Sequence, residues 1–141
     1  MRLILIVVSL ASWCAFAEQD VGSFYEVSTD GTTAKLKAGE TGKLIINIKA
    51  KNGAHVSDEA PLKIELSSKQ SKLAKEKLTL ADSTNKKKDG ETTYPDPRFE
   101  VGFTPTAQGP TTVEAKMTFF ICTEKLCSRQ TKNLSLPVEV M

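Results

Sequence analysis

Two cysteines with four residues between them, Cys122 and Cys127, sit between the two clearest runs of alternating apolar and polar residues in the chain. Val113, Ala115, Met117, Phe119 and Ile121 alternate with Glu114, Lys116, Thr118 and Phe120. Leu134, Leu136, Val138 and Val140 alternate with Ser135, Pro137 and Glu139. If Cys122 faces Cys127 across an antiparallel hairpin, Val113 faces Leu136, Ala115 faces Leu134 and Thr111 faces Val138. The apolar faces of both strands then coincide without adjustment. A slip of one residue would turn one strand's apolar set to the wrong side of the sheet. Cysteine spacing and hydrophobic period therefore agree, independently, on one register. That register permits a disulfide, because directly opposed residues have Cα atoms roughly 4.5 to 5.5 Å apart.

The rest of the chain from Leu36 onward has the same period of two. Leu44, Ile46 and Ile48 alternate with Ile45, Asn47 and Lys49; Leu62, Ile64 and Leu66 with Lys63, Glu65 and Ser67; Phe99, Val101 and Phe103 with Glu100 and Gly102. Leu78 and Leu80 form a shorter run. Turn signals separate these runs at Ala38-Gly39-Glu40, Asn52-Gly53, Pro61, Asp89-Gly90, Pro95-Asp96-Pro97 and Gly109-Pro110. Six or seven short strands, each with one apolar face, predict an all-β, immunoglobulin-like antiparallel β-sandwich. Ser68 to Leu80 reads as helix through Leu73, Lys75, Glu76 and Lys77, or nearly as well as a lysine-rich strand or loop. Asp82 to Tyr94 has no aliphatic residue and is expected to be a long solvated loop.

The amino-terminal segment reads as a transport signal. Met1-Arg2 supplies the positive start, Leu3 to Leu10 a compact apolar run, and Ala15-Phe16-Ala17 a small-x-small cleavage site. The run falls short of the roughly 20 residues of a spanning helix. Trp13 stands before Cys14 where lipoprotein processing needs a small residue, which argues against lipidation. Cleavage after Ala17 leaves residues 18–141 as a single domain of 141 − 17 = 124 residues with two cysteines. An even pair suits an oxidising compartment, periplasmic or secreted. No other long apolar stretch exists, so no membrane insertion is expected after cleavage.

Composition removes several function classes. Lys+Arg number 19 and Asp+Glu 17, a net charge of +2, which gives no electrostatic basis for nucleic-acid binding. A single histidine excludes a multi-histidine metal centre. No Gly-x-Ser-x-Gly element, phosphate loop or paired-carboxylate motif appears, so a hydrolase is unsupported. No cofactor is called for.

The hairpin carries the chemistry that remains. Its register pairs Phe120 with Arg129 on the face that bears the cysteines, and a nearby guanidinium favours a thiolate. Glu124 and Lys125 at the tip push in opposite directions. One reading is a structural staple, restraining the unfolded chain by roughly 2 kcal/mol on the loop-entropy model. The other is a redox pair that opens and closes by thiol exchange. Spacing by itself leans towards the staple, since C-x4-C is not the thioredoxin C-x-x-C.

The stretch Phe119 to Val140, with Ile121-Cys122-Thr123-Glu124-Lys125-Leu126-Cys127 ahead of an alternating final strand, resembles the N-terminal periplasmic domain of the thiol:disulfide interchange protein DsbD. Asn52-Gly53-Ala54-His55-Val56 ahead of Pro61-Leu62-Lys63, and Phe99-Glu100-Val101-Gly102-Phe103 ahead of Gly109, are similar to segments of the same family. The likeness spans Ala38 to Val140. It implies an immunoglobulin-like sandwich in which Cys122 and Cys127 exchange disulfides with periplasmic or membrane thiol:disulfide exchange proteins. It also implies an aromatic cap over the cysteines, for which Tyr94 is the candidate. The chain departs from the family's best-known members in having one residue fewer between the cysteines and Ser128-Arg129-Gln130 after them.

Three other features read more plainly. His55 could join Cys122 and Cys127 around zinc or copper, but no fourth ligand is evident, and a structural histidine is the simpler reading. Lys86-Lys87-Lys88, flanked by Asp82 and Asp89, reads as a solvated loop. Asn133-Leu134-Ser135 matches a glycosylation sequon by chance, on an expected strand.

Overall fold

A computed structural model describes residues 24–141. The expected signal segment and Cys14 lie outside the described residues. Ten strands form two packed sheets: β1 (Tyr25–Ser28), β2 (Lys35–Leu36), β3 (Gly42–Ala50), β4 (His55–Val56), β5 (Lys63–Ser67), β6 (Ser71–Leu73), β7 (Lys77–Thr79), β8 (Arg98–Pro105), β9 (Gly109–Cys122) and β10 (Cys127–Val140). One sheet has the order β1-β3-β8-β6. The other runs β2-β10-β9-β5-β7, with β4 also paired to β9. All pairs are antiparallel except β2 with β10. The order of the first sheet, and β10-β9-β5 in the second, reproduce the two-sheet pattern of an immunoglobulin-like sandwich.

The core lies between the sheets and is filled by the alternating residues. Leu44, Ile46, Ile48, Phe99, Val101 and Phe103 come from one side; Ile64, Val113, Met117, Phe119, Ile121 and Val138 come from the other. Burying each such large side chain stabilises the fold by about 1.5–3 kcal/mol. The hairpin register is the one the cysteines require, unbroken from Cys127↔Cys122 to Val140↔Gly109, with Val113 opposite Leu136 and Ala115 opposite Leu134. Ile45 points out of the core yet is buried. The Thr32 hydroxyl accepts from its N–H and donates to its carbonyl. At Gly31 the φ of +90° is what requires glycine; a Cβ there would meet only the movable end of the Ile45 side chain, at 2.9 Å.

The helical reading of Ser68 to Leu80 is corrected. That segment holds β6 and β7, and the chain changes sheets between them: β6 pairs with β8, β7 with β5. Leu78 enters the core while Leu73 packs at its margin. Helix propensity is worth tenths of a kcal/mol per residue and yields to two edge pairings. A 3-10 turn follows at Leu80–Asp82; the loop expected over Asp82 to Tyr94 begins one residue later and runs from 83 to 97, without a strand. Among the described residues no helix is long and apolar enough to cross a membrane.

Candidate functional site

The turn joining β9 to β10 is built around Thr123. Its N–H donates to the Leu126 carbonyl at 2.8 Å. Its hydroxyl accepts from the Lys125 and Leu126 N–H groups, each at 3.3 Å. A threonine hydroxyl thus takes the place of a backbone acceptor in a tight turn. Because Thr123 and Leu126 are hydrogen-bonded partners, Cys122 and Cys127 fall on the next rung, of the non-hydrogen-bonded kind, where facing residues approach most closely. Their Cα atoms are 4.0 Å apart, and the sulfurs form a disulfide of 2.06 Å.

The two ends of this bond have different surroundings. Cys122 is 4% exposed, whereas Cys127 is exposed. Neighbouring strands explain the difference. On the far side of β9 lies β4, with His55 opposite Cys122 and Val56 opposite Ile121. The Ser57 N–H extends that cover by donating to the Phe120 carbonyl at 2.9 Å. The Asn52-Gly53 turn places β4 there: both residues have positive φ, 54° and 78°, and they carry the chain from β3 in one sheet to β4 in the other. On the far side of β10 the only strand among the described residues is β2, which meets it at Glu139 and Val140, at the opposite end.

His55, Cys122 and Cys127 therefore stand in one row across three strands, where paired side chains share a face. As a metal site the row is not supported: among the described residues no group of three or more histidine, cysteine, aspartate or glutamate residues is arranged to hold an ion. Both sulfurs are spent on each other, and a disulfide offers no thiolate ligand.

Phe120 and Arg129 are paired two rungs on, on the same face, as the register requires. With Pro61, Lys63, Lys116 and Thr131 they line an open concavity of about 620 Å³ on the outer face of the sheet. Lys63 bonds Glu65 at 2.8 Å, and this hydrogen bond, reinforced by the Lys63 charge, holds the Glu65 carboxyl below its usual range. A second hollow of about 460 Å³ lies at the hairpin tip, lined by Phe24, Gly53, Ile121, Thr123 and the 45%-exposed Leu126.

Tyr94, the aromatic cap candidate, is placed with its hydroxyl 3.5 Å from the Leu80 carbonyl. Beside the disulfide lies β4, with His55 opposite Cys122, and the Asn52-Gly53 turn lines the hollow at the hairpin tip. Lys87 of the lysine run meets Asp58 at 3.6 Å. Tyr25, which the sequence reading passed over, braces the inner side of the hairpin: its ring stands edge-on to Phe119 at 5.2 Å, and its hydroxyl donates to Gln130 Oε1 at 3.2 Å. The alternation Tyr25-Glu26-Val27-Ser28 was the available signal for that strand.

No protein-family model matches the chain, and neither does any curated protein. Among solved structures, domains 4 and 5 of the S-layer protein SbsC align at 14% identity with a TM-score of 0.45. That alignment covers 82% of this chain and 51% of the S-layer chain, so the protein spans about half the length of that neighbour. A conjugative transposon lipoprotein from Bacteroides eggerthii aligns at 9% identity and TM-score 0.45, over 82% of this chain and 96% of the other. A lipoprotein from Bacteroides thetaiotaomicron gives 16% identity and TM-score 0.47, over 82% and 78%.

Proposed function

We propose that this protein is an exported thiol–disulfide exchange domain that works through Cys122 and Cys127. The observation that carries the reading is the asymmetry of the bond: one sulfur belongs to a buried residue on an interior strand, the other to an exposed residue at the end of an edge strand. A partner thiolate attacks Cys127 Sγ, the bond to Cys122 breaks, and Cys122 leaves as the thiolate. The partner's second thiolate then attacks its own sulfur in the mixed disulfide and releases Cys127. The partner dithiol is oxidised to a disulfide and the hairpin is reduced to a dithiol. Run backwards, Cys127 attacks a partner disulfide and Cys122 resolves the intermediate. Arg129 lies two residues along β10 on the face that bears Cys127, and a nearby guanidinium favours a thiolate.

The likeness of Phe119 to Val140 to the DsbD N-terminal domain supports the same reading. Export is supported by the signal pattern of residues 1–17 and by a disulfide that an oxidising compartment preserves. The test is equilibration of the purified protein against glutathione buffers, with thiols trapped by alkylation and counted by mass. An exchange domain should show a reduction potential above about −300 mV, and its reduced form should alkylate at Cys127 well before Cys122. A bond that stays intact throughout the glutathione range marks a permanent staple instead.

A further inference from the structure

The open side of β10 is a feature that the exchange reading does not by itself use. The Thr123–Leu126 bond fixes the phase of the ladder, since hydrogen-bonding direction alternates along an antiparallel strand. Ser128, Gln130, Lys132 and Leu134 turn their backbone groups to β9. Cys127, Arg129, Thr131, Asn133 and Ser135 turn theirs the other way. The phase checks at the far end, where Glu139, of the same set, donates its N–H to the Ala34 carbonyl at 2.9 Å. Pro137, between them, has no N–H to offer. From Cys127 to Ser135 no strand among the described residues pairs with that edge. At roughly 3.3 Å per residue the open run is about 26 Å long.

Other edges of the sandwich are short, β1 having four residues, β6 and β7 three each and β2 two, which is the ordinary protection against strand addition. This one is long, and all five outward residues are exposed. Its side chains decide what can pair with it. They are polar, so a second copy of this chain would bury little apolar surface. Arg129 and Lys132 are the only charges between Cys127 and Pro137, and a second copy would set like against like. Lys116 on β9 and Lys63 on β5 add positive charge; of the carboxylates, Glu124 is in the turn, Glu114 lies opposite Ser135 and Glu65 is held by Lys63. Arg129 shares the outer face with Lys116 and Lys63, whereas Lys132 lies on the other face. An extended segment with acidic residues at alternate positions, all on the outer face, therefore complements the backbone and the outer-face charge.

We infer that β10, from Cys127 to Ser135, is a docking edge for an extended acidic segment of a partner protein, which adds as a further strand and carries its cysteine to Cys127. The covalent part rests on the exchange reading; the docking does not. The probe is a ten-residue peptide alternating glutamate with threonine, made with one terminal cysteine or with serine in its place, and titrated against the full mature chain. The serine peptide should bind, should slow amide exchange at 127, 129, 131, 133 and 135 but not at the intervening residues, and should weaken as salt rises. Thr131→Pro removes one outward donor and no ladder bond, and should weaken binding at least tenfold with the far-UV spectrum unchanged. Arg129→Glu with Lys116→Glu should abolish it and admit the lysine-for-glutamate peptide, a result that does not depend on tolerating proline.

Equal binding of acidic and basic peptides, or protection that ignores the alternation, overturns the docking edge. So does protection of the odd amides that grows with protein concentration alone, which would assign the edge to a second copy. If the serine peptide docks but the cysteine peptide forms no mixed disulfide, docking stands and exchange falls. If the cysteine peptide exchanges regardless of its charge, exchange stands and docking falls.

Discussion

β9 and β10 are the same length, are joined in one register, and each carries one cysteine of the bond, yet they live in different environments. β9 has neighbours on both edges, β10 on one side and β4 with β5 on the other. Every second residue of β9 from Thr111 to Ile121 is buried, whereas on β10 the same side becomes buried only from Leu136 onward. The distal half of β10 instead faces inward with Ser128, Gln130 and Lys132. The difference gives the disulfide two unlike ends: the cysteine on the interior strand is buried and the one on the edge strand is exposed. Neither cysteine has unusual sequence neighbours. Strand position alone separates them.

The sharpest way to break this comparison is amide hydrogen exchange on the ligand-free protein. On β9, successive amides bond alternately to β10 and to β4 or β5, so most should be protected to near the global unfolding free energy, of order 5–15 kcal/mol. On β10 the amides of Ser128, Gln130, Lys132 and Leu134 should be similarly slow, but those of Arg129, Thr131, Asn133 and Ser135 should exchange orders of magnitude faster. Uniform protection along β10 would mean that its edge is covered, and the contrast with β9 would vanish.

Next in size are truncations of facing residues. Phe119 and Gln130 occupy one rung. Phe119 is 0% exposed and meets Tyr25, so Phe119→Ala should cost about 3–5 kcal/mol in denaturant unfolding. Gln130→Ala loses its bonds to Tyr25 and Ser128 on a half-buried face and should cost about 0.5–1.5 kcal/mol. Equal costs would show that the distal hairpin is packed alike on both strands. Replacing both cysteines with serine comes third. It should lower stability by about 2 kcal/mol, the value of a loop this short. A much larger loss would make the bond chiefly structural.

These contrasts also show what could be read from residues alone. The β9–β10 register was legible in full, because two periodicities and a cysteine pair had to agree. So were the core faces of β3, β5 and β8, each an unbroken apolar alternation. Strands of two or three residues, β2, β4 and β6 among them, were not: pattern over so few positions has no period, and they form because a longer neighbour offers an edge. β4 is the costly omission for the site, since it shelters Cys122. His55-Val56 after Asn52-Gly53 marked a turn but not which strand the chain would join. For the same reason the open edge of β10 could not be foreseen, because which strands lie beside one another is set by tertiary contacts.

The smallest predicted effect tests the turn that sets the phase of the whole hairpin. Without its hydroxyl, Thr123 would leave the Lys125 and Leu126 N–H groups to water, both already on an exposed loop. The loss should therefore be about 1 kcal/mol, near the net value of one ordinary hydrogen bond rather than two buried ones. Thr123→Ala measures it, and Thr123→Ser should restore most of it by returning the oxygen. Register should survive in both variants, because the apolar rungs nearer the core, Val113 with Leu136 and Thr111 with Val138, still exclude a slip. Nuclear Overhauser contacts between Cys122 and Cys127 after reduction would report this directly. If they disappeared in the reduced Thr123→Ala protein, the turn, and not the core, would be what holds the two cysteines face to face, and β10 would be a strand only as long as its sulfur bond is closed.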